Sequence, residues 1–437
     1  MKKILLLALF VSIGASAQEV LTFADCQQRA FANNLRLKSA DYQERAAVYE
    51  HRATFGKFLP NIYAEGENRN SWGKEIDSDT NLYVRDNLRN TEGTLNAYFN
   101  LFSGFEVYNN IKIKKQQLEI DKANLQQVRN EISISLAQHF ITILYLQEII
   151  EANEEQIRSS AKQVEIGELK FNEGVISESE LFKIKSQKAS EELRLLNSKN
   201  MLADNMIAIK QLMNIPVDQE ITLMQPELQL DPQVAAVDSD PYALAAEAAR
   251  QHPMYKMSLF EQQKAKAELS LARAPLLPKV TLRLMYRSNY SSTDEEIPFS
   301  TQLDENTTKS IRFYITVPIF SQFDNYGKIK SSKMRYLQSK VETKMEENRL
   351  TREVLKAIND AKTSLKKTES TNLAFDYSKK SYDADALKFE LGKININELN
   401  TTKIMYNTTQ AELIQAKYEL LFNNALIRFY MGEDFNL

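Results

Sequence analysis

The chain has one cysteine, Cys26, among 437 residues, so an intramolecular disulfide is excluded and stability must come from packing or assembly. Asp25 directly precedes it, well past the apolar N-terminal run, which does not fit a lipid-attachment site. Cys26 is therefore expected to be a half-buried small residue in the first mature helix. Glycine (11) and proline (10) are scarce, which disfavours a loop-rich or all-β enzyme and favours long uninterrupted helices. Beyond the N-terminus no run approaches the ~20 apolar residues of a membrane-spanning helix, so any entry into a bilayer must use strands. Neither sign of charge dominates. A net charge of -3 with 26% charged residues of both signs leaves no basic footprint, and no nucleic-acid partner is expected. The three histidines show no metal-ligand spacing: His51 and His252 stand apart, and His139 reads as a polar residue setting register in a helical seam. No metal site and no cofactor follow.

Lys2 and Lys3, an apolar run from Ile4 to Ile13, and Ala15-Ser16-Ala17 before Gln18 form the pattern of a secretory signal peptide, residues 1–17. The mature chain then starts near Gln18.

What the sequence does contain is a repeat. Leu59-Pro60 matches Leu277-Pro278 at an offset of 218 residues, and the same offset recurs along the chain. It carries Phe102-Ser103 onto Phe320-Ser321, Leu169-Lys170-Phe171 onto Leu387-Lys388-Phe389, Gly174 onto Gly392 and Glu180-Leu181 onto Glu398-Leu399. The first repeat covers 18–216 and the second 241–437. Residues 217–240, with Pro226 and Pro232, read as a connecting segment.

Each repeat has two alternating segments, at about 61–70 and 93–102 and at about 279–288 and 310–320. In the second repeat Val280, Leu282, Leu284 and Tyr286 oppose Thr281, Arg283 and Arg287. Ile311, Phe313, Ile315, Val317 and Ile319 likewise oppose Arg312, Tyr314 and Thr316. Strands with one apolar and one polar face suit a transmembrane barrel, although a soluble hairpin packed on helices has the same alternation. From Phe105 to Asn172 the only helix breaker is Gly167, and a single helix of that length would extend ~100 Å. Leu118, Leu125, Ile132 and Leu146, and Val354, Ile358, Ala361 and Leu365, have coiled-coil spacing.

Each long helix ends at a glycine and restarts almost at once. The two tips are Gly174-Val175-Ile176-Ser177 and Gly392-Lys393-Ile394-Asn395. Ser177 with Glu180, and Asn395 with Glu398, have capping-box spacing for the returning helices. The apolar Val175, Ile176 and Ile394 on such short turns point to a docking surface.

A signal peptide, a twofold repeat, Leu-Pro before a strand, Leu-Phe-Ser after one and Phe-x-x-Gly-x-Ile at both tips together resemble the TolC outer-membrane efflux family over essentially the entire mature chain. The resemblance implies a mainly α fold with a transmembrane β-barrel. Three chains would pool twelve strands in one barrel set in outer-membrane lipid, above a periplasmic α-helical tunnel. It also implies a homotrimer whose tips meet a periplasmic adaptor protein tied to an inner-membrane pump. The family's entrance, narrowed by acidic residues at the second tip, maps its first acidic position onto Glu398 and its second onto Thr401. The family's locking arginine and tyrosine map onto Ile394 and Phe389, and the acidic partner at the first tip maps onto Glu180. The chain thus keeps one acid of the pair and lacks the arginine and the phenol.

Four strands cannot close a barrel alone, so the residues favour an exit duct assembled from several chains. A soluble periplasmic coiled-coil adaptor or scaffold is the alternative, although two full hairpins and no compact β block argue against it. An enzyme is not expected, because no nucleophile is paired with a histidine base and no glycine loop cradles phosphate.

Overall fold

A computed structural model of the chain describes residues 19–76, 83–84, 87–226, 240–293 and 296–437. The expected signal peptide, 1–17, and the middle of the connecting segment, 227–239, lie outside the described residues. The elements divide into two compact units. One comprises Met1–Ser39, Gln126–His252 and Arg349–Leu437, and the other Ala40–Leu125 and Pro253–Asn348.

In chain order the elements are β1 (Glu19–Leu21), α1 (Phe23–Asn33), α2 (Leu35–Phe55), β2 (Asn61–Ser71), β3 (Glu75–Ile76), β4 (Tyr83–Val84), β5 (Leu88–Ser103), α3 (Glu106–Asn172), α4 (Glu178–Met213) and β6 (Ile221–Leu223). The second half follows with α5 (Pro241–Gln251), α6 (Pro253–Arg273), β7 (Lys279–Ser291), α7 (Phe299–Glu305), β8 (Thr307–Thr316), α8 (Asp324–Glu390) and α9 (Ile396–Tyr430).

The unit containing Ala40–Leu125 carries a four-stranded antiparallel sheet in the order β2-β5-β7-β8. Its register lines up the apolar positions across all four strands. Ile62 pairs with Ala97, Ala97 with Leu284 and Leu284 with Ile311, while Phe99 pairs with Leu282 and Leu282 with Phe313. The opposite face is polar and internally bonded: Arg283 donates to Asn96 Oδ1 at 2.9 Å, and Arg287 pairs with Glu92 at 2.9 Å. Among the described residues nothing covers the apolar face, with Ile311 70% and Ile315 71% exposed, and neither β2 nor β8 has a partner on its outer edge. An exposed apolar face with two open edges is half-finished for water, and is what a strand set shared among chains in lipid requires.

Two strand boundaries correct the sequence reading. β5 begins at Leu88 rather than near 93, and β8 stops at Thr316 rather than near 320, so Val317 and Ile319 lie past the ladder. Pro318 has no N–H to contribute to a ladder, which accounts for the early stop. The segment between β7 and β8 contains the short helix α7.

In the other unit β1 lies parallel to β6. Thr22 caps α1 reciprocally: its backbone N–H donates to Asp25 Oδ2 at 2.9 Å and its Oγ1 accepts from the Asp25 N–H. Asp25, next to the cysteine, is therefore a capping residue, and the Thr22 hydrogen bonds hold its carboxyl below the usual range. Cys26 is fully buried, deeper than expected, and burial pushes its thiol up to about 12. Around it Phe23 packs edge-on to Phe140 at 5.6 Å and against Phe435 at 6.1 Å. Ile132 and Leu146 of the expected seam are buried on α3, and Val354, Ile358 and Ala361 are buried on α8. His139 is half-buried, with Nδ1 2.9 Å from Asn205 Oδ1 of α4, so its partner is an amide on the returning helix. Among the described residues no helix is long and apolar enough to cross a membrane, and no cluster of acidic, histidine or cysteine side chains could hold a metal ion.

Candidate functional site

Both hairpin tips belong to the unit with Gln126–His252 and Arg349–Leu437, and both are built the same way. At the first, Gly174 has φ +73°, its N–H bonds the Phe171 carbonyl at 2.9 Å, and the Val175 N–H bonds the Lys170 carbonyl at 2.8 Å. At the second, Gly392 has φ +69°, its N–H bonds the Phe389 carbonyl at 3.1 Å, and the Lys393 N–H bonds the Lys388 carbonyl at 2.8 Å. This crossed pair of bonds closes the end of a helix, and the left-handed φ is why glycine occupies both turns.

The restarting helices are capped differently. Ser177 Oγ accepts from the Glu180 N–H at 3.3 Å, and Glu180 Oε2 accepts from the Ser177 N–H at 2.9 Å, which completes the expected box. At α9 the Asn395 side chain supplies both halves. Its Oδ1 accepts from the Asn397 and Glu398 N–H groups at 2.9 and 3.1 Å, and its Nδ2 donates to Glu398 Oε1 at 2.8 Å. Glu398 is therefore held through the cap's side chain and remains exposed.

Beneath the turns Ile184, Phe389, Ile396 and Leu399 form a buried cluster, against which Val164, Ile176, Tyr382, Ala386 and Ile394 pack. The cluster corrects two expectations. Ile176 and Ile394 are half-buried on it rather than presented outward, because an apolar side chain beside an open pocket of other apolar groups folds inward. Phe389, which stands where the family has a phenol, is 6% exposed and serves as core. The groups left outside on the turns are Val175, 65% exposed, and its repeat counterpart Lys393. Glu398 and Thr401 are both exposed, and Thr401 Oγ1 bonds back to the Asn397 carbonyl at 2.9 Å.

Two ties between the hairpins were not read from the sequence. Lys170 Nζ donates to the Phe389 carbonyl at 3.0 Å and lies 4.4 Å from the centroid of its ring, and Lys183 Nζ donates to Asn397 Oδ1 at 3.2 Å. A lysine in the last turn of a helix is a weak signal of such a contact, because it also suits the helix's own carbonyl end.

An antiparallel sheet with a bare apolar face, joined in one chain to two glycine-closed hairpins of very long helices in tandem repeat, defines an outer-membrane channel subunit with a helical periplasmic domain. The chain belongs to the outer membrane efflux protein family, whose profile it matches over residues 27–214 and 244–433. Its fold is similar to that of CusC (TM-score 0.82, 16% identity, 94% of this chain and 92% of that one). It is also similar to the CmeC outer membrane channel of Campylobacter jejuni (0.80, 16%, 95% and 86%) and to the open-state MtrE outer membrane channel of Neisseria gonorrhoeae (0.77, 14%, 95% and 89%). No curated protein sequence matches the chain. The protein is an exit duct of the outer membrane, of the kind used in tripartite efflux, in a family of passive channels that are trimeric and work with adaptor and pump partners. The alternative of a soluble adaptor or scaffold finds no support.

Proposed function

We propose that this chain forms a homotrimeric duct whose tips, Gly174 to Ser177 and Gly392 to Asn395, receive a periplasmic adaptor bound to an inner-membrane pump, and whose entrance is lined by Glu398, Thr401 and Glu180. Phe389 supports this entrance from within the cluster. The observation that carries the docking reading is the matched exposure of Val175 and Lys393 at the same position of two turns closed by equivalent hydrogen bonds and a left-handed glycine. These turns are rigid, because their glycines, crossed hydrogen bonds and caps leave little freedom, so a partner meets a preformed shape at low ordering cost.

The test separates docking from folding. Val175→Asp with Lys393→Glu alters only side chains that point away from the cluster, so the trimer should keep its heat resistance while adaptor cross-linking and export are lost. Undiminished cross-linking in that double variant would remove the turns as the docking surface. Ile176→Asp and Ile394→Asp are less informative, since both side chains rest on the buried cluster and would weaken the tip itself.

A further inference from the structure

The most deeply buried charges among the described residues are a pair: Lys403 of α9, its side chain 2% exposed, meets Glu191 of α4, 1% exposed, at 3.2 Å. The surrounding network is complete. The ammonium has three protons, and it donates to Glu191 Oε1, to Ser160 Oγ of α3 and to Gln163 Oε1 at 3.4 Å. Glu191 Oε1 also accepts from Gln187 Nε2 at 2.9 Å, and Oε2 accepts from the Ser160 hydroxyl. Burial pulls the Lys403 pKa down and Glu191 opposes that pull.

The repeat shows that this arrangement is not inherited by both halves. At the offset of 218, Ser160 corresponds to Ser378 and Glu191 to Thr409, and these two hydroxyls meet at 2.5 Å as a neutral pair in the matching place. Lys403 corresponds to Lys185, which lies on the surface in an ordinary ion pair with Glu168 at 2.8 Å. The buried charge pair is therefore particular to the junction between α9 and the α3–α4 hairpin, and no other buried ion pair is seen among the described residues.

Lys403 occupies an inward position of α9, in line with the buried Ile396, Leu399 and Asn407. At ~100° per residue, Glu398 lies about 140° and Thr401 about 160° around the helix from it, which is why both are exposed. A slide or rotation of α9 against α4 would strip both charges of partners in a dry interior, whereas an apolar seam would tolerate small slips.

We propose that Lys403 is a positioning residue of the entrance: its pair with Glu191 fixes the rotation and register of α9 on α3 and α4, and so fixes where Glu398 and Thr401 point. The entrance role of those two residues rests on the reading proposed above; the positioning does not.

The test uses full-length trimers carrying spin labels at Thr401→Cys and Glu192→Cys, exposed sites on α9 and α4, diluted with unlabelled chains, with Cys26 left in its buried place. The pair is removed by Lys403→Met with Glu191→Leu and reversed by Lys403→Glu with Glu191→Lys. The expected result is one narrow distance distribution in wild type and in the reversed pair, and a shifted or broadened one in the apolar double, at near wild-type thermal stability. Unlabelled apolar-double trimers in planar bilayers should show a several-fold higher resting conductance. A folded apolar double with the wild-type distribution would overturn the proposal, since the pair would then be structural only. A changed distribution with unchanged conductance upholds the positioning and counts against the entrance reading. Lys403→Met alone strands the Glu191 charge, so its loss of stability is not used to decide.

Discussion

Lys170 and Phe389 join the two hairpins end to end: the ammonium lies 4.4 Å from the ring centroid and bonds the carbonyl of the same residue at 3.0 Å. The counterpart of Lys170 in the second repeat, Lys388, has no such role and pairs with Asp385 of its own helix at 2.9 Å. The tie therefore runs in one direction only, from the end of α3 to the end of α8. Replacing Lys170 by Met keeps the stem but removes a cation–π contact and a charge at a helix's carbonyl end, together about 1 kcal/mol. Amide exchange at Gly392 and Lys393 should then accelerate roughly fivefold, following the tenfold-per-1.4 kcal/mol relation. Unchanged protection at these two amides would show that the crossed turn is self-sufficient.

The first tip distinguishes a cap from a charge. Ser177→Ala removes the acceptor for the Glu180 N–H and should cost about 1 kcal/mol of local stability. Glu180→Gln should cost much less, because an amide oxygen can still accept from the Ser177 N–H. Limited proteolysis across residues 173–178 measures both. Equal sensitivity of the two variants would mean that the carboxylate charge itself matters there, as at an entrance.

The alkaline limb of stability should show the buried acids. The folded-state pKa of Cys26 is raised to about 12, and burial also raises those of Tyr418 and Tyr430. Above the unfolded pKa values the unfolded chain binds fewer protons than the folded one, so stability is full below about pH 8.5 and falls as pH rises further. One such group contributes a slope of about 1.4 kcal/mol per pH unit until its folded pKa is reached. Denaturation midpoints of detergent-solubilised protein from pH 8 to 11 test this, and Cys26→Ala should flatten the first part of the decline. A stability profile flat to pH 11 would contradict it. The same burial predicts that the thiol resists maleimide until the protein is unfolded.

Much of this architecture could be read in the residues because it rests on short-range periodicity. The twofold alternation of Val280 to Tyr286 and Ile311 to Ile315 placed the apolar face of the sheet correctly, and Gly174 and Gly392 marked the turns. What could not be read depended on which hairpin lies beside which. Ile176 and Val175 are neighbours on one turn, yet only the cluster supplied by Ile184, Phe389, Ile396 and Leu399 decides that the isoleucine turns inward. Lys403 had a readable signal, being a lysine in step with Ile396 and Leu399. The partner that makes its burial tolerable is more than 200 positions away, and no local pattern names it. The end of β8 was readable at Pro318, but the alternation of Val317 and Ile319 outweighed it.

The entrance is where a single residue has the greatest leverage, because a threefold axis multiplies it. If Glu398 faces that axis, a trimer carries three carboxylates in a constriction, which attract cations and bind multivalent ones from the periplasmic side. Its exposure on α9, on the side away from the buried Lys403, allows this; its bond from Asn395 Nδ2 at 2.8 Å offers a purely structural role instead. Glu398→Gln tells the two apart, since the glutamine oxygen can still accept from Asn395 while the charge is gone. In trimers reconstituted in planar bilayers, Glu398→Gln should weaken cation selectivity and relieve block by added divalent and trivalent cations, with the thermal transition nearly unmoved. Thr401→Asp, which would add a second acid one turn further along α9, should strengthen both. Wild-type selectivity and block in intact Glu398→Gln trimers would reduce Glu398 to a cap and move the constriction to other side chains.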